Sequence, residues 1–180
     1  MKSTIYVGID ETNHGNSEQK NTKNPLVEIP EIFVGVFSFN SYDVRHSNFN
    51  KKRDLIYNPF KRLGGRDYRF ALLNKEQREK IHYKDLEGVI ASSLVHPFSN
   101  NQTRFELYFD GRKKMSKMKY TKEMISDLCN IPGKNISICS GGSLDEMFYV
   151  VNLADSIAYR LLKKEHLRGN NKNQVPLLNK

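Results

Sequence analysis

Alternating apolar and polar residues predict that this chain begins with a strand, since Ile5, Val7 and Ile9 recur at every second position and turn-forming residues follow. A run of β-branched and aromatic residues predicts a second strand from Ile32 to Phe39. Similar patterns recur three more times further along the chain. The predicted strands cover residues 4–9, 32–39, 66–73, 104–109 and 136–139.

Apolar residues at helical spacing predict three helical regions around the later strands. Asn74 is a suitable N-cap for the first helix, which we expect to continue to about Val95 with a break near His82. A short helix is predicted at 120–128 and a long one at 143–167. The order is therefore three strands, helix, strand, helix, strand, helix.

The length of 180 residues fits a single domain, which we place at residues 1–168, with a polar tail at 169–180 that we expect to be disordered. The chain has no run of about 18 to 20 apolar residues, as a membrane span requires, and no apolar secretory leader. Its two cysteines, Cys129 and Cys139, lack the Cys-x-x-Cys spacing of a zinc site. We expect a cytoplasmic protein without a membrane partner.

Two adjacent carboxylates, Asp10 and Glu11, follow the first predicted strand. Mg²⁺ is a hard cation that takes oxygen ligands, so carboxylates held rigidly at a strand end are typical of a site for it. The alternative is that both residues are ordinary turn formers. Further acids must distinguish the two interpretations.

The element order, with acids after the first and fourth strands and on the last helix, resembles the ribonuclease H fold over roughly residues 4–168. The segment Gly8-Ile9-Asp10-Glu11 is similar to the opening of type 2 ribonucleases H. Residues 107–111 are similar to the strand that bears the next aspartate of that family, and residues 152–158 to the helix that bears the final one. The same segments resemble uncharacterised ribonuclease H-like proteins with Asp-Glu and Leu-Ala-Asp motifs. The resemblance implies an α/β fold with a five-stranded mixed sheet, its first three strands antiparallel, flanked by helices.

The resemblance also implies a site. Its catalytic and metal-binding residues would be Asp10, Glu11, Asp110 and Asp155. They would hold Mg²⁺ or Mn²⁺ for two-metal hydrolysis of a phosphodiester. Glu87 is a rival to Glu11, because type 1 ribonucleases H take their glutamate from the first helix. The chain departs from the type 2 pattern at Thr12-Asn13-His14, where the family has the Ala-Gly-Arg loop that senses a 2′-hydroxyl, so strict ribonuclease H specificity does not follow. His14 is a candidate for phosphate contact or proton transfer, or simply a surface residue.

Helix geometry separates the late acids. In one continuous helix, Asp145 and Asp155 would lie about 15 Å apart, so both could not serve one compact site. Asp155 has apolar neighbours in the sequence, whereas Asp145 and Glu146 stand at the helix start, where acids are expected to favour the helix dipole. We therefore assign the site role to Asp155.

The formal net charge of +9 favours a polyanionic partner such as nucleic acid. A basic run over residues 112–119 follows Asp110, and we expect it to form a loop beside the acids. Its predicted nucleic-acid-binding residues are Arg112, Lys113, Lys114 and Lys117. Any one of these cations is also compatible with a merely solvated loop.

The sequence thus predicts a divalent-metal-dependent nuclease acting on RNA, an RNA–DNA hybrid or structured DNA. One alternative is a resolvase or transposase-like DNA nuclease, and another is a module that binds nucleic acid or protein without cutting it. A kinase or dehydrogenase is not indicated, because the phosphate-loop and dinucleotide-binding glycine motifs are absent. The sequence leaves the form of nucleic acid and the oligomeric state open.

Overall fold

Five strands form one mixed sheet in the described part of the chain. The structure is a computed structural model and describes residues 3–12, 31–45, 58–162 and 172–178. The strands are β1 (Thr4–Thr12), β2 (Glu31–Ser38), β3 (Asp67–Leu73), β4 (Arg104–Asp110) and β5 (Ile136–Gly141). They lie side by side in the order β3-β2-β1-β4-β5.

The first three strands are antiparallel to one another, whereas β4 runs parallel to β1 and β5 parallel to β4. The predicted five-stranded mixed sheet is therefore confirmed. β1 is longer than predicted, because Asp10 and Glu11 continue the pairing with Val34 and Phe33 of β2. The two acids thus belong to the strand itself, and the alternative that they are turn residues is wrong.

The described residues contain five α-helices, which connect or follow the later strands. They are α1 (Lys75–Lys80), α2 (Leu86–Val95), α3 (Met115–Cys129), α4 (Leu144–Met147) and α5 (Tyr149–Leu162). Asn74 caps α1 as predicted, and the expected break separates α1 from α2. None of the described helices combines the length and the apolar character needed to cross a membrane.

The helices form two layers, one on each face of the sheet. Ile5, Val7 and Ile9 of β1 belong to a core that also contains Ile90 of α2 and Ile125 of α3. The opposite face carries Ile32, Val34 and Val36 of β2, which share a second core with α5. Successive side chains of a strand point to opposite faces of the sheet, so neighbouring residues belong to different cores. Each residue of β1 therefore faces either α2 and α3 or α5.

Gly8 allows α5 to approach β1 closely. A Cβ atom at this position would overlap the backbone of Val150 and Val151, which cannot move aside as a flexible side chain can. We therefore expect Gly8→Ala to lower the free energy of unfolding by about 1–3 kcal/mol or more. Thermal unfolding followed by circular dichroism measures this, with Gly133→Ala as the control, because the nearest atom to a Cβ there lies at 3.9 Å. Equal melting temperatures for the two variants would contradict the expectation.

The basic run at 112–119 is not a loop over its whole length. α3 begins at Met115 rather than at residue 120, so Lys117 and Lys119 lie in its first turns. Met and Lys are good helix formers, and a density of charge alone does not prevent a helix. Only Arg112, Lys113 and Lys114 precede α3.

The long helix predicted at 143–167 is two helices. Phe148 interrupts it with an extended backbone, φ −121° and ψ 126°, and its ring packs against Tyr108 with centroids 5.0 Å apart. The Asn152 side-chain amide donates to the Asp145 carbonyl at 2.8 Å, which satisfies a carbonyl that the broken helix leaves unpaired. The prediction of one continuous helix is therefore wrong, and its part beyond Leu162 lies outside the described residues.

The tail is ordered where it is described. Residues 172–178 run beside the edge strand β3, where Phe70 N–H donates to the Asn173 carbonyl and Val175 N–H to the Phe70 carbonyl, each at 2.9 Å. Val175 is buried in the core that contains Ile90. The expectation of a disordered tail is wrong for these residues, because the tail is not uniformly polar and its apolar side chains cover an otherwise open sheet edge.

Candidate functional site

Asp10 and Asp110 are neighbours at the carboxyl ends of the two central parallel strands. Ile9 of β1 is level with Phe109 of β4, so the aspartate that follows in each strand lies at the same height and on the same face. This face is the one that α5 covers, because Val34, opposite Asp10, belongs to the core with α5. The parallel pairing thus brings together two acids that are far apart in the sequence.

Asp145 and Asp155 reach the same place from α4 and α5. Asp155 is half-buried, and Asp145 is only 3% exposed. Both carboxylates exert an electrostatic effect on Asp10. The break at Phe148 turns α4 away from the axis of α5, so the separation of about 15 Å for a continuous helix does not apply. Asp145 lies in the first turn of α4, as predicted, and its charge in addition acts on Asp10.

The pKa of Asp10 reflects its burial first and the neighbouring acids second. Burial is the largest cause of a rise from the ordinary value of 3.8 to about 8, and the negative charge of Asp155 is next. Asp110 and Asp145 raise the pKa further, while the hydrogen bond from Glu11 N–H, at 2.8 Å, opposes the rise. Such mutual repulsion is what a divalent cation between the carboxylates would relieve.

The hydrogen bonds of the acids link strand to helix. Leu144 N–H donates to Asp110 Oδ1 at 2.9 Å, so the start of α4 is tied to the end of β4. Within the described ranges, no three Asp, Glu, His or Cys side chains form a ready-made metal-binding group. The donor chemistry nevertheless fits Mg²⁺ or Mn²⁺, because the four neighbouring acids offer only oxygen ligands.

Glu11 points to the opposite face from Asp10. It pairs with Phe33, which belongs to the core with α2, and it shares with Glu87 a cavity of about 20 Å³. Asp10 and Asp110 also line this cavity, which is large enough for about one water molecule. Glu11 therefore points to the opposite face of the sheet from Asp10, but it lines the same small cavity as Asp10 and Asp110.

Glu87 is held by two cations from the basic run. Its Oε1 accepts from Lys113 Nζ at 2.9 Å and lies 2.8 Å from Lys117 Nζ. Burial alone would raise the pKa of Glu87, but the hydrogen bonds and charges of the two lysines outweigh it and hold the pKa below its usual value. Glu87 is therefore an anion whose charge is already matched by ammonium groups.

The four predicted nucleic-acid-binding residues fall into two pairs. Lys113 and Lys117 lie against Glu87, and the Lys113 ammonium also lies 5.4 Å from the centre of the Phe109 ring. Arg112 and Lys114 are exposed. His14, the remaining candidate, lies outside the described residues.

A comparison with solved structures identifies the fold. The chain is similar to one in the structure of the PCNA:RNase HII complex from Archaeoglobus fulgidus, with a TM-score of 0.56 over 94% of this chain and 81% of that one, at 12% identity. The chain has a ribonuclease H-like fold. The ribonuclease H2 structure from Pyrococcus horikoshii OT3 matches over 89% of this chain and 73% of that one, at 16% identity and a TM-score of 0.49. No family model and no curated protein sequence matches the chain.

The ribonuclease H-like fold explains why the acids meet. Its central parallel pair places Asp10 beside Asp110, and its last helices place Asp145 and Asp155 over them. Sequence reasoning missed Asp145. The sequence carries little local signal of the break, because Tyr149, Val150 and Val151 are helical in α5 although they are poorer helix formers.

Proposed function

We propose that this chain is a divalent-metal-dependent nuclease that hydrolyses phosphodiester bonds in RNA, an RNA–DNA hybrid or structured DNA. The observation that carries the proposal is the parallel pairing that sets Asp10 level with Asp110, which in turn accepts a hydrogen bond from Leu144 N–H of α4. The charges of Asp145 and Asp155 act on Asp10 as well. A ribonuclease H-like fold and a structural neighbour named RNase HII support the same conclusion. Buried carboxylates that repel one another cost stability, so a functional role accounts for their presence better than a structural one.

The acids would hold Mg²⁺ or Mn²⁺. Such an ion, when bound, activates the attacking water and stabilises the leaving oxygen. Asp10 would be the central ligand of the set, since the charges of the other three aspartates all act on it. Glu11 approaches from the other face of the sheet and would complete the set. We assign Glu87 a different role, because Lys113 and Lys117 already match its charge.

The cations beside the acids would bind the phosphates of the substrate. Glu87 fixes the ammonium of Lys113, and this residue lines the same small cavity as Phe109 and Asp110. Arg112 and Lys114 are exposed beside it and would add contacts that do not depend on sequence. Affinity is therefore expected to fall as salt is raised.

Cleavage assays test the proposal directly. The purified chain is incubated with labelled RNA–DNA hybrid, single-stranded RNA and branched DNA in Mg²⁺, Mn²⁺ or EDTA. We expect cleavage only with a metal, and we expect Asp10→Asn to reduce it by about 10²-fold or more, since a neutral amide is a poor ligand for a hard cation. Asp127→Asn is the matched control, because this acid is exposed on α3.

Three outcomes would contradict the proposed metal-dependent nuclease. Cleavage that continues in EDTA, or that Asp10→Asn leaves unchanged, would show that the carboxylates do not perform the reaction. Binding without cleavage of any substrate would instead favour a module that recognises nucleic acid on the same fold. Cleavage confined to branched DNA would favour the resolvase-like alternative.

A further inference from the structure

A surface groove lies between the turn that precedes α2 and the first turns of α3. Its volume is about 460 Å³, within the range of about 300–1,000 Å³ that is typical of ligand sites. Its walls combine two aromatic rings with three ammonium groups and a hydroxyl. The lining residues are Tyr83, Lys84, Lys114, Ser116, Lys117 and Tyr120.

The two rings differ in how they are held. Tyr83 is 71% exposed, with the His82 ring 4.8 Å away and Lys84 Nζ 5.9 Å from its centroid. The Tyr120 hydroxyl donates to Asp85 Oδ1 at 2.5 Å, which fixes this ring at the groove. The Tyr83 ring is thus exposed and open to stacking, whereas the Tyr120 ring is held in place by its hydrogen bond to Asp85.

The charge of the groove is positive. Lys84 and Lys114 are exposed, and the first turn of α3 contains no acidic residue. Asp85, the acid next to Lys84 in the sequence, already accepts the hydrogen bond from Tyr120. The groove therefore suits a ligand that carries both negative charge and flat apolar faces.

We propose that the groove binds a single-stranded segment of nucleic acid, with a base stacked on Tyr83 and the flanking phosphates on Lys84 and Lys114. Rings interleaved with cations are how proteins bind single strands without reading sequence. A blunt duplex keeps its bases stacked within the helix and offers no base face to Tyr83. Charge complementarity and exposed rings together thus favour unpaired nucleotides.

An ion pair links the groove to the cavity that Glu11 and Glu87 line. Lys117 lines the groove, and its Nζ lies 2.8 Å from Oε1 of Glu87, which lines the cavity. A strand leaving the groove would pass Lys117 on its way to the carboxylates. This inference rests on the proposed nuclease function. It implies that the preferred substrate has unpaired nucleotides next to the bond that is cleaved.

Equilibrium binding in EDTA tests the groove separately from cleavage. Fluorescence anisotropy compares single-stranded RNA, single-stranded DNA of the same sequence and a blunt duplex. We expect Tyr83→Ala to weaken binding of the single strands by about fivefold or more and to leave the duplex unaffected, whereas Tyr83→Phe binds like the wild type. Tyr42→Ala is the matched control, because Tyr42 is 66% exposed and has the Arg45 guanidinium 3.9 Å from its ring centroid, outside the groove.

The outcomes of the two assays are distinguishable. Single-strand affinity unchanged in both Tyr83→Ala and Lys84→Ala would overturn the groove proposal, and it is the result expected if the groove takes a peptide instead. Affinity that depends on Tyr83 in a protein that cleaves nothing would support the groove and contradict the nuclease. Circular dichroism of each variant shows that its fold is retained.

Discussion

Asp145→Asn is expected to reduce metal-dependent cleavage by about 10²-fold or more, as much as Asp10→Asn does. Asp145 is 3% exposed and lies close enough to Asp10 to raise its pKa. Its own helix is tied to Asp110 through the hydrogen bond from Leu144 N–H. Replacing its carboxylate by a neutral amide would therefore weaken one of the anionic ligands that would hold the metal. Initial rates in Mg²⁺ and Mn²⁺ measure the effect.

Glu146→Gln is the matched control for this prediction. Glu146 is the next residue of the same short helix and is exposed, so it tests whether loss of any negative charge from α4 is sufficient. We expect Glu146→Gln to cleave at nearly the wild-type rate. Asp145→Asn with full activity, beside an inactive Asp155→Asn, would return Asp145 to a purely structural role.

The strands were predictable because their pattern is local. Alternation in β1 and β-branched residues in β2 place both strands within a few residues of their observed positions. The end of β1 was not predictable in this way. Asp and Glu have low strand propensity, and the extension of β1 through Asp10 and Glu11 is seen only in their pairing with Val34 and Phe33 of β2.

The helices show where local reasoning fails. The run of charged residues indicates a loop, so the predicted start of α3 is residue 120 rather than Met115, although Lys and Met favour a helix. At the break, the Phe148 ring packs against Tyr108, a residue forty positions earlier that local reasoning does not consider. Since the distance between Asp145 and Asp155 was inferred from a continuous helix, one error about Phe148 removed a candidate acid from the site.

The partners of the basic residues could not be read from the sequence either. Glu87 and Lys113 belong to different elements, α2 and the segment before α3, and only the fold brings them to 2.9 Å. The sequence does predict that acids and cations border one another, because Arg112 follows Asp110 so closely. It does not show that two of the four predicted cations are held by a glutamate.

Asp10→Asn is expected to make the metal-free protein more stable at neutral pH while it removes activity. Burial and the charges of Asp155, Asp110 and Asp145 raise the pKa of Asp10 from 3.8 to about 8 in the folded chain. A carboxyl group whose pKa is raised on folding contributes stability that is fully present below pH 3.8 and is lost as the pH rises through about 8. An amide resembles the protonated acid and has no charge to lose.

In EDTA at pH 8, the free energy of unfolding of Asp10→Asn should exceed that of the wild type by about 2–4 kcal/mol. The difference should shrink towards zero near pH 4. Chemical denaturation of the wild type and the variant across this pH range measures it, with Asp127→Asn as the exposed control. Mg²⁺ should then stabilise the wild type more than the variant, because a bound cation offsets the repulsion that the substitution has already removed. A variant less stable than the wild type at pH 8 in EDTA would show that the carboxylates do not oppose folding. The site would then lack the electrostatic strain that makes it suitable for a divalent ion.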